Sequence, residues 1–568
     1  LNYRWIFRES VDANAVEELT NSQNVPVPIA KVLVGRGITT PEAVHRFFHP
    51  SLEHLHSPWL MDGMDIAVAR IEQALDRKEL VWIHGDYDVD GTSSTAMMLH
   101  FLRGIGCQAQ YFIPKRDQNG FGFTRDSVNE AAAAGAKLII TVDVGITATD
   151  AVAYAAEHGI DVIICDHHEP AEELPNAYAI LDPIKPGCPY PFKYLAACGV
   201  VFKFIQAISE RRSFPEKAFD YLDFVAIASA ADIVPLIDEN RVISHFGLRQ
   251  LNAEPRPGLK GLIDCAGLTP GTITNSSIIF GLAPRINAAG RLGDAGRAVE
   301  MMIQADELRA YHIAQELEQD NRTRRKIDEG TFEGAMLLAE SELAREPRRS
   351  LVLYTPGWHA GVIGIVASRL VERYHLPTVM LTSTGGDDEV AKGSARSIRD
   401  FDIRGALKQC EDLLIEYGGH KHAAGLSLRR ENIDALRERF DAIAQATLTE
   451  DMLTPEIVVD AELSLNELTP NFFEYLSRFA PFGYSNHRPL FHTKGVVSAN
   501  GVKIVGNNHL KFRALQKHFA IDAIGFNLGH KIRECSNGRE FSLVYTLEEN
   551  SFNGTVTPQI RIKDLRPE

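Results

Sequence analysis

From Leu80 onward, short apolar runs alternate with amphipathic stretches. Leu80-Val81-Trp82-Ile83-His84 reads as a strand that ends abruptly in a Gly/Asp loop, and the spacing beyond it predicts a helix from Thr92 to Leu102. The alternation repeats: a strand over Gln110 to Ile113, a helix over Asp126 to Ala134, a strand over Leu138 to Val142, a helix over Thr149 to Glu157 and a strand over Val162 to Cys165. Strands alternating with helices predict a parallel, doubly wound α/β sheet. The first eighty residues read as short helices and turns.

A polar, periodic stretch from Asp306 to Glu346 predicts a bridging helix of about 60 Å, with Gly330 and Gly334 warning of a bend or break. Its basic run, Arg322 to Lys326, reads as a solvated helix face. A second, smaller α/β unit begins at Leu351 to Tyr354, with a helix over Val362 to Tyr374 and a strand over Thr378 to Leu381. From Pro455 the texture changes to short alternating strands punctuated by Asn500-Gly501, Asn537-Gly538 and Asn553-Gly554, pairs that favour hairpin turns. A small β-barrel of the OB type, a fold that commonly grips single strands, is expected there. The resulting division is 1–305, 306–346, 347–449 and 450–568.

A chain of 568 residues exceeds one ordinary core, so several domains are expected. The composition, 45% hydrophobic and 24% charged without a long apolar run, is that of a soluble globular protein and argues against a membrane span. Leu1 to Ser10 lacks the features of a secretory signal. Seven scattered cysteines with no C-x-x-C pair argue against a zinc ribbon or a disulfide framework and favour a reducing cytoplasm. Cys165 reads as a packed thiol.

The net charge of −16 is the wrong sign for nucleic-acid binding taken over the whole chain. It does not exclude such binding, because a metal-dependent nuclease carries a carboxylate cluster that is neutralised only by its ions.

The chemistry sits at strand ends. His84, Asp88 and Asp90 lie at or just after the first strand, Asp143 follows the third, and Asp166-His167-His168 follow the fourth. Ligands of an open parallel sheet bind beyond the carboxyl ends of its strands, so these loops are expected to converge. Mixed carboxylate and imidazole donors suit Mn²⁺ or Mg²⁺. Asp86 reads as a turn residue. No G-x-S-x-G elbow is present, so no serine nucleophile is expected.

His-x-x-x-Asp-x-Asp at 84–90, Asp143-Val144-Gly145 and Asp166-His167-His168 resemble the first three motifs of the DHH phosphoesterases. The resemblance implies a fourth acidic residue, matched by Asp232 in Ala231-Asp232-Ile233-Val234-Pro235-Leu236. It implies one ion held by His84, Asp88 and Asp143, and another held by Asp90, Asp143, His167 and Asp232. Asp166 would orient a neighbouring imidazole, and His168 would lie near the scissile phosphate.

Gly418-Gly419-His420-Lys421-His422-Ala423-Ala424-Gly425 is similar to the glycine-and-histidine motif of the DHH-associated domain, which nominates His420 for substrate binding. Gly357 to Gly364 and Gly393-Ser394-Ala395-Arg396-Ser397 resemble further stretches of that domain. In RecJ-type exonucleases, Ser394 and Arg396 would belong to a pocket for the 5′-terminal phosphate, with Arg116 as a further member. Arg285 and Arg291 are candidate substrate contacts, with a cap or salt-bridge role as the alternative. Lys503, Lys511 and Arg513 suggest a path over the barrel.

The resemblance spans nearly the whole chain. It implies a single-stranded-DNA-specific 5′ exonuclease releasing mononucleotides by two-metal hydrolysis in repair and recombination, with single-strand-binding protein and a recombination helicase as partners. The alternatives are a short-oligonucleotide phosphodiesterase and a noncatalytic single-strand-binding protein.

Overall fold

The apolar runs become the strands of a parallel sheet in the computed structural model, which describes residues 3–8, 12–114, 122–384, 387–536, 538–552 and 555–568. Strands β1 (Leu80–Gly85), β2 (Gln108–Phe112), β3 (Leu138–Val142), β4 (Asp161–Cys165) and β5 (Ala179–Leu181) lie in the spatial order β2-β1-β3-β4-β5. Every pairing is parallel. Val81, Ile83, Leu138 and Ile140 enter one buried layer, while Trp82, Ile139, Val162 and Ile164 enter the other. Both faces are covered by helices, which is why these strands read as unbroken apolar runs. β5 has only three residues, too few for periodicity to mark it.

The helix after β1, Val89–Gly104, begins three residues before the expected Thr92, because the Asp88 carboxylate caps it by accepting the Gly91 N–H at 3.0 Å. This early start draws Asp90 into the first turn and buries it.

The chain divides into two compact units, one formed by Phe7–Glu318 and Val459–Glu568, the other by Leu1–Ile6 and Gln319–Val458. Besides the parallel sheet, the first unit contains a β-barrel. Strands Phe491–Val505, His509–Gln516, Phe519–Gly525, Thr555–Pro567 and Phe541–Phe552 pair in that order, and the last pairs back onto the first. Helices Ala13–Gln23, Val27–Gly35 and Pro41–Phe48 bury Leu19, Ile29, Leu33 and Phe48 in the same core cluster as the barrel's Phe491, Phe512 and Tyr545.

Asn500 and Gly501 do adopt the left-handed backbone expected of the pair, with φ of 63° and 77°. They do so within the strand Phe491–Val505, where the register shifts between Ala499 and Lys503, so the pair forms a bulge rather than a hairpin turn. The reversal comes later, between the paired Val505 and His509. Asn537 and Asn553-Gly554 lie outside the described residues.

The helix Glu307–Arg345 is continuous over 39 residues and runs unbroken through Gly330 and Gly334. Two glycines cost such a helix only about 2 kcal/mol in propensity. In the second unit, Leu351–Tyr354 pairs in parallel with Thr378–Thr384, and antiparallel strands Asp387–Arg396, Ala423–Arg429 and Leu414–Gly419 complete a mixed sheet. Helix Ile363–Tyr374 packs on one face and Ile433–Thr447 on the other. Among the described residues no helix is long and apolar enough to cross a membrane.

Candidate active site

The strand order reverses direction between β1 and β3, and the loops leaving the carboxyl ends of these strands open a crevice. Asp86 and Asp88 follow β1, Asp143 is the first residue after β3, and Asp166-His167-His168 follow β4. Asp232 ends the helix Leu222–Ala231. A carboxylate there opposes the helix dipole, which disfavours a purely structural cap.

These groups converge. The ligand atoms of Asp86, Asp88 and Asp143 lie within 4.8 Å of one another, as do those of Asp90, His167 and Asp232, and those of Asp143, His167 and His168. His167 Nε2 is 3.3 Å from Asp143 Oδ1 and 3.8 Å from both Asp90 Oδ2 and Asp232 Oδ2. Neighbouring ligands of a cation with bonds of about 2.1 Å stand about 3 Å apart, so the set is spaced for coordination. The backbone adapts to this: Asp143 has φ 65°, a left-handed conformation uncommon outside glycine, while its N–H bonds the Cys165 carbonyl at 3.0 Å. Gly91 permits the loop to fold over the helix, since a Cβ there would lie 2.5 Å from the Asp86 carbonyl oxygen.

Burial raises the Asp90 carboxyl well above its ordinary value, with Asp232 and Asp88 adding repulsion against the N–H groups of Ala197 and Cys198, each 2.8 Å away. Asp143 is raised by burial and by Asp90, Asp88 and Asp86. Burial and Asp88 push Asp232 up to about 7. Burial, helped by His168, pushes His167 down to about 4, leaving a neutral imidazole among carboxylates. Such a set repels itself until a cation neutralises it, and its oxygen and nitrogen donors fit Mn²⁺ or Mg²⁺.

Asp166 is buried and accepts N–H groups from Ile146 at 3.0 Å and His167 at 2.8 Å. It also lies 2.7 Å from His168 Nδ1, so the imidazole it orients is that of His168. Burial works against a charge on His168, but the Asp166 hydrogen bond and charge push it up to about 9.

His84 stands outside these convergent groups. Its fully buried ring packs against Phe112 and Phe123, and neither nitrogen makes a hydrogen bond of ordinary geometry, although the Gly122 backbone interacts weakly with it. Asp86 stands beside Asp88 and Asp143. Asp86, expected as a turn residue, directly follows β1 and brings a ligand atom within 4.8 Å of those of Asp88 and Asp143. Asp182, directly after β5, is likewise buried, and burial pushes it up to about 7.

Of the expected substrate contacts, Arg285 is corrected. It is buried in an ion pair with Glu318 at 2.7 Å and also bonds the Gly281 carbonyl, because its position in the helix Ala283–Leu292 points it into the core. Arg291, half-exposed, follows Gly290, whose close approach to the Tyr87 carbonyl brings that end of the helix to the Asp86-Tyr87-Asp88 loop. Arg116 lies outside the described residues.

In the second unit, Arg396 Nη1 donates to Ser394 Oγ and to the Ala395 carbonyl, both at 2.8 Å. A Cβ at Gly364, in the first turn of helix Ile363–Tyr374, would lie 2.8 Å from Ser394 Oγ and 2.9 Å from Arg396 Nη2. A helix start, a hydroxyl and a guanidinium are the kinds of donor that anions take. The exposed His420 lies in the turn of the neighbouring hairpin, where Ala423 pairs with Arg396.

The protein from Bacillus subtilis (strain 168) named single-stranded-DNA-specific exonuclease RecJ is 38% identical over 564 residues, covering 99% of this chain and 70% of its own length. The chain belongs to the RecJ family. A RecJ structure in complex with Mn²⁺ from Thermus thermophilus superposes with a TM-score of 0.85 at 28% identity, covering 99% of this chain and 79% of that one. RecJ in complex with Mg²⁺ from the same organism gives 0.77 at 26% identity, covering 99% and 78%. Along this RecJ-family chain the models for the DHH family, N-terminal domain, the DHHA1 domain and the RecJ OB domain match residues 80–229, 349–446 and 459–564.

Proposed function

We propose that this chain is a single-stranded-DNA-specific exonuclease that hydrolyses phosphodiesters from the 5′ end to mononucleotides, using two divalent cations, Mn²⁺ or Mg²⁺. The observation that carries this reading is the convergence of Asp86, Asp88, Asp90, Asp143, His167 and Asp232 at the carboxyl ends of the parallel strands. Asp86, Asp88 and Asp143 are assigned to one ion, and Asp90, His167 and Asp232 to the other, with Asp143 shared. The buried imidazole of His84 is the remaining candidate for the first. Cations bound there would activate water and stabilise the charge developing on the phosphoryl and leaving oxygens.

The chain's own groups supply the rest. Neutral His167 offers a lone pair without deprotonation, and the strained backbone at Asp143 aims its carboxylate into the crevice. Asp166 keeps His168 charged, which suits this imidazole to donate a hydrogen bond to a phosphoryl oxygen of the substrate. Ser394 and Arg396, with His420, are assigned to the 5′-terminal phosphate, which gives the direction of degradation. Arg291 is assigned to the DNA backbone, as is Arg116.

The family resemblance supports cytoplasmic work in repair and recombination, with single-strand-binding protein and a recombination helicase as partners. The boundaries 1–305, 306–346, 347–449 and 450–568 stand as proposed functional divisions. The test is a long single strand labelled at either end, incubated with Mn²⁺ or a chelator, beside Asp143→Ala. Early release of 5′-labelled mononucleotide, abolished by the chelator and by the variant, is expected. Prior release of the 3′ label would remove the phosphate-pocket assignment, and cleavage of very short oligonucleotides alone would favour the small-substrate phosphodiesterase.

A further inference from the structure

A strained, exposed residue borders the metal-ligand set. Ile233 directly follows Asp232 and holds φ 58°, a left-handed backbone that β-branched side chains avoid. Ile233 nevertheless stays 56% exposed, so core burial is not what holds it there. Strain of this kind persists where the surroundings over-determine it, and it clusters at functional sites.

Three more large apolar side chains are exposed on the adjoining segments: Tyr194 at 54%, Ile237 at 41% and Tyr484 at 50%. They come from distant parts of the sequence, and specific contacts hold their segments together. The buried Asn240 donates through Nδ2 to the Tyr194 carbonyl at 2.6 Å and to the Pro235 carbonyl at 3.0 Å. The Leu236 N–H donates to the Tyr484 carbonyl at 2.9 Å. Gly483 packs so tightly that a Cβ would lie 2.5 Å from Leu236 Cδ1.

The same segments reach the acidic cluster. Ala197, three residues after Tyr194, donates its N–H to Asp90, and the Leu195 backbone interacts with the His167 ring. Asp232, next to Ile233, faces His167 at 3.8 Å.

We propose that Tyr194 and Ile233, flanked by Ile237 and Tyr484, form an apolar platform that receives the base and sugar of the nucleotide beside the scissile phosphate. The inference rests on the exonuclease reading and names a part of the substrate that the metal centre does not recognise. Cations held by these carboxylates would engage the phosphate and not the base. An apolar surface continuous with them offers contact to the face of any base and needs no hydrogen-bond readout, so it tolerates every sequence. In a duplex that face is covered by stacking, and the platform therefore favours an unpaired strand.

The test compares 5′-phosphorylated single strands carrying either normal bases or abasic sites at the first three positions, cut with Mn²⁺ by wild type, Tyr194→Ala, Tyr194→Phe and Ile233→Gly. Glycine takes the left-handed backbone without strain, so Ile233→Gly is expected to melt at or above the wild-type temperature. Removing the bases is expected to lower wild-type kcat/KM about tenfold. Tyr194→Ala and Ile233→Gly lose about as much on normal strands, mainly through KM, and little more on abasic ones, whereas Tyr194→Phe keeps the wild-type response. Losses from variant and abasic strand that multiply independently, or variants that cut normal strands as wild type does, overturn the platform. If wild type with Mn²⁺ cuts no single strand at all, the exonuclease reading falls and the platform with it.

Discussion

Oδ1 of Asp166 lies 2.7 Å from Nδ1 of His168 while also accepting the N–H groups of His167 and His168. One buried carboxylate thus sets both the path of the loop and the charge of one imidazole. Replacing Asp166 by Asn keeps the shape and removes the charge. In metal-free protein, the His168 titration followed by NMR is expected to fall from about 9 toward its ordinary 6.5. Because the folded value is raised, the His168 contribution to stability is fully present below pH 6.5 and is lost as pH rises through about 9. An unchanged titration in Asp166→Asn would place the source of the charge elsewhere.

The carboxylates at Asp90, Asp143 and Asp232 act in the same direction, beginning at lower pH. Their folded values are raised, so the metal-free protein loses stability as pH climbs from the ordinary carboxyl range through those values, which for Asp232 is about 7. Bound cations reverse this loss. Mn²⁺ at a hundred times its dissociation constant adds about 2.7 kcal/mol, and the rise in melting temperature is expected to be larger at pH 8 than at pH 5.5. Asp143→Asn should melt higher than wild type without metal and lose most of the Mn²⁺ response.

Arg285 and Arg291 share a helix and are expected to separate cleanly. Arg285→Met removes the ion pair to Glu318 and should cost about 3 kcal/mol in chemical denaturation, with KM for single strands little changed in the protein that remains folded. Arg291→Ala should raise KM for single strands more than Arg285→Met does. A reversed pattern would return Arg285 to the substrate surface.

Arg241, buried on the helix Asp238–Ala253, donates to the carbonyls of Phe47, Arg478, Phe479 and Ala480 and stacks 3.9 Å above the Phe47 ring. No lysine reproduces that fork. Arg241→Lys is expected to destabilise the protein by about 2 kcal/mol, measured by urea unfolding, because carbonyls are left unpaired. A neutral result would mean that water replaces the lost donors.

Arg396→Ala tests the terminal-phosphate assignment. The preference of wild type for a 5′-phosphorylated over a 5′-hydroxyl strand should shrink by about tenfold or more, given the strength of guanidinium–phosphate bonds. Equal loss on both strands would indicate a structural role.

By itself the sequence marked the parallel sheet and the ends of its strands, because Asp88, Asp143 and His167 each stand just after a short apolar run in an alternating strand and helix pattern. That signal is local, and it survives folding because a strand end fixes where its next residue goes. The tertiary structure alone decided what depends on approach between distant segments. Asp86 could not be told from a turn residue until Asp143 arrived beside it, and Arg285 could not be told from a surface cation until Glu318 closed over it. The first three helices joined the barrel core through Leu19, Ile29 and Phe48, although the sequence placed them beside the catalytic sheet's own segment. Periodicity marks which face of a helix is buried, but the partner that buries it is chosen by shape and by hydrogen bonds such as those of Arg241, which link residues hundreds of positions apart.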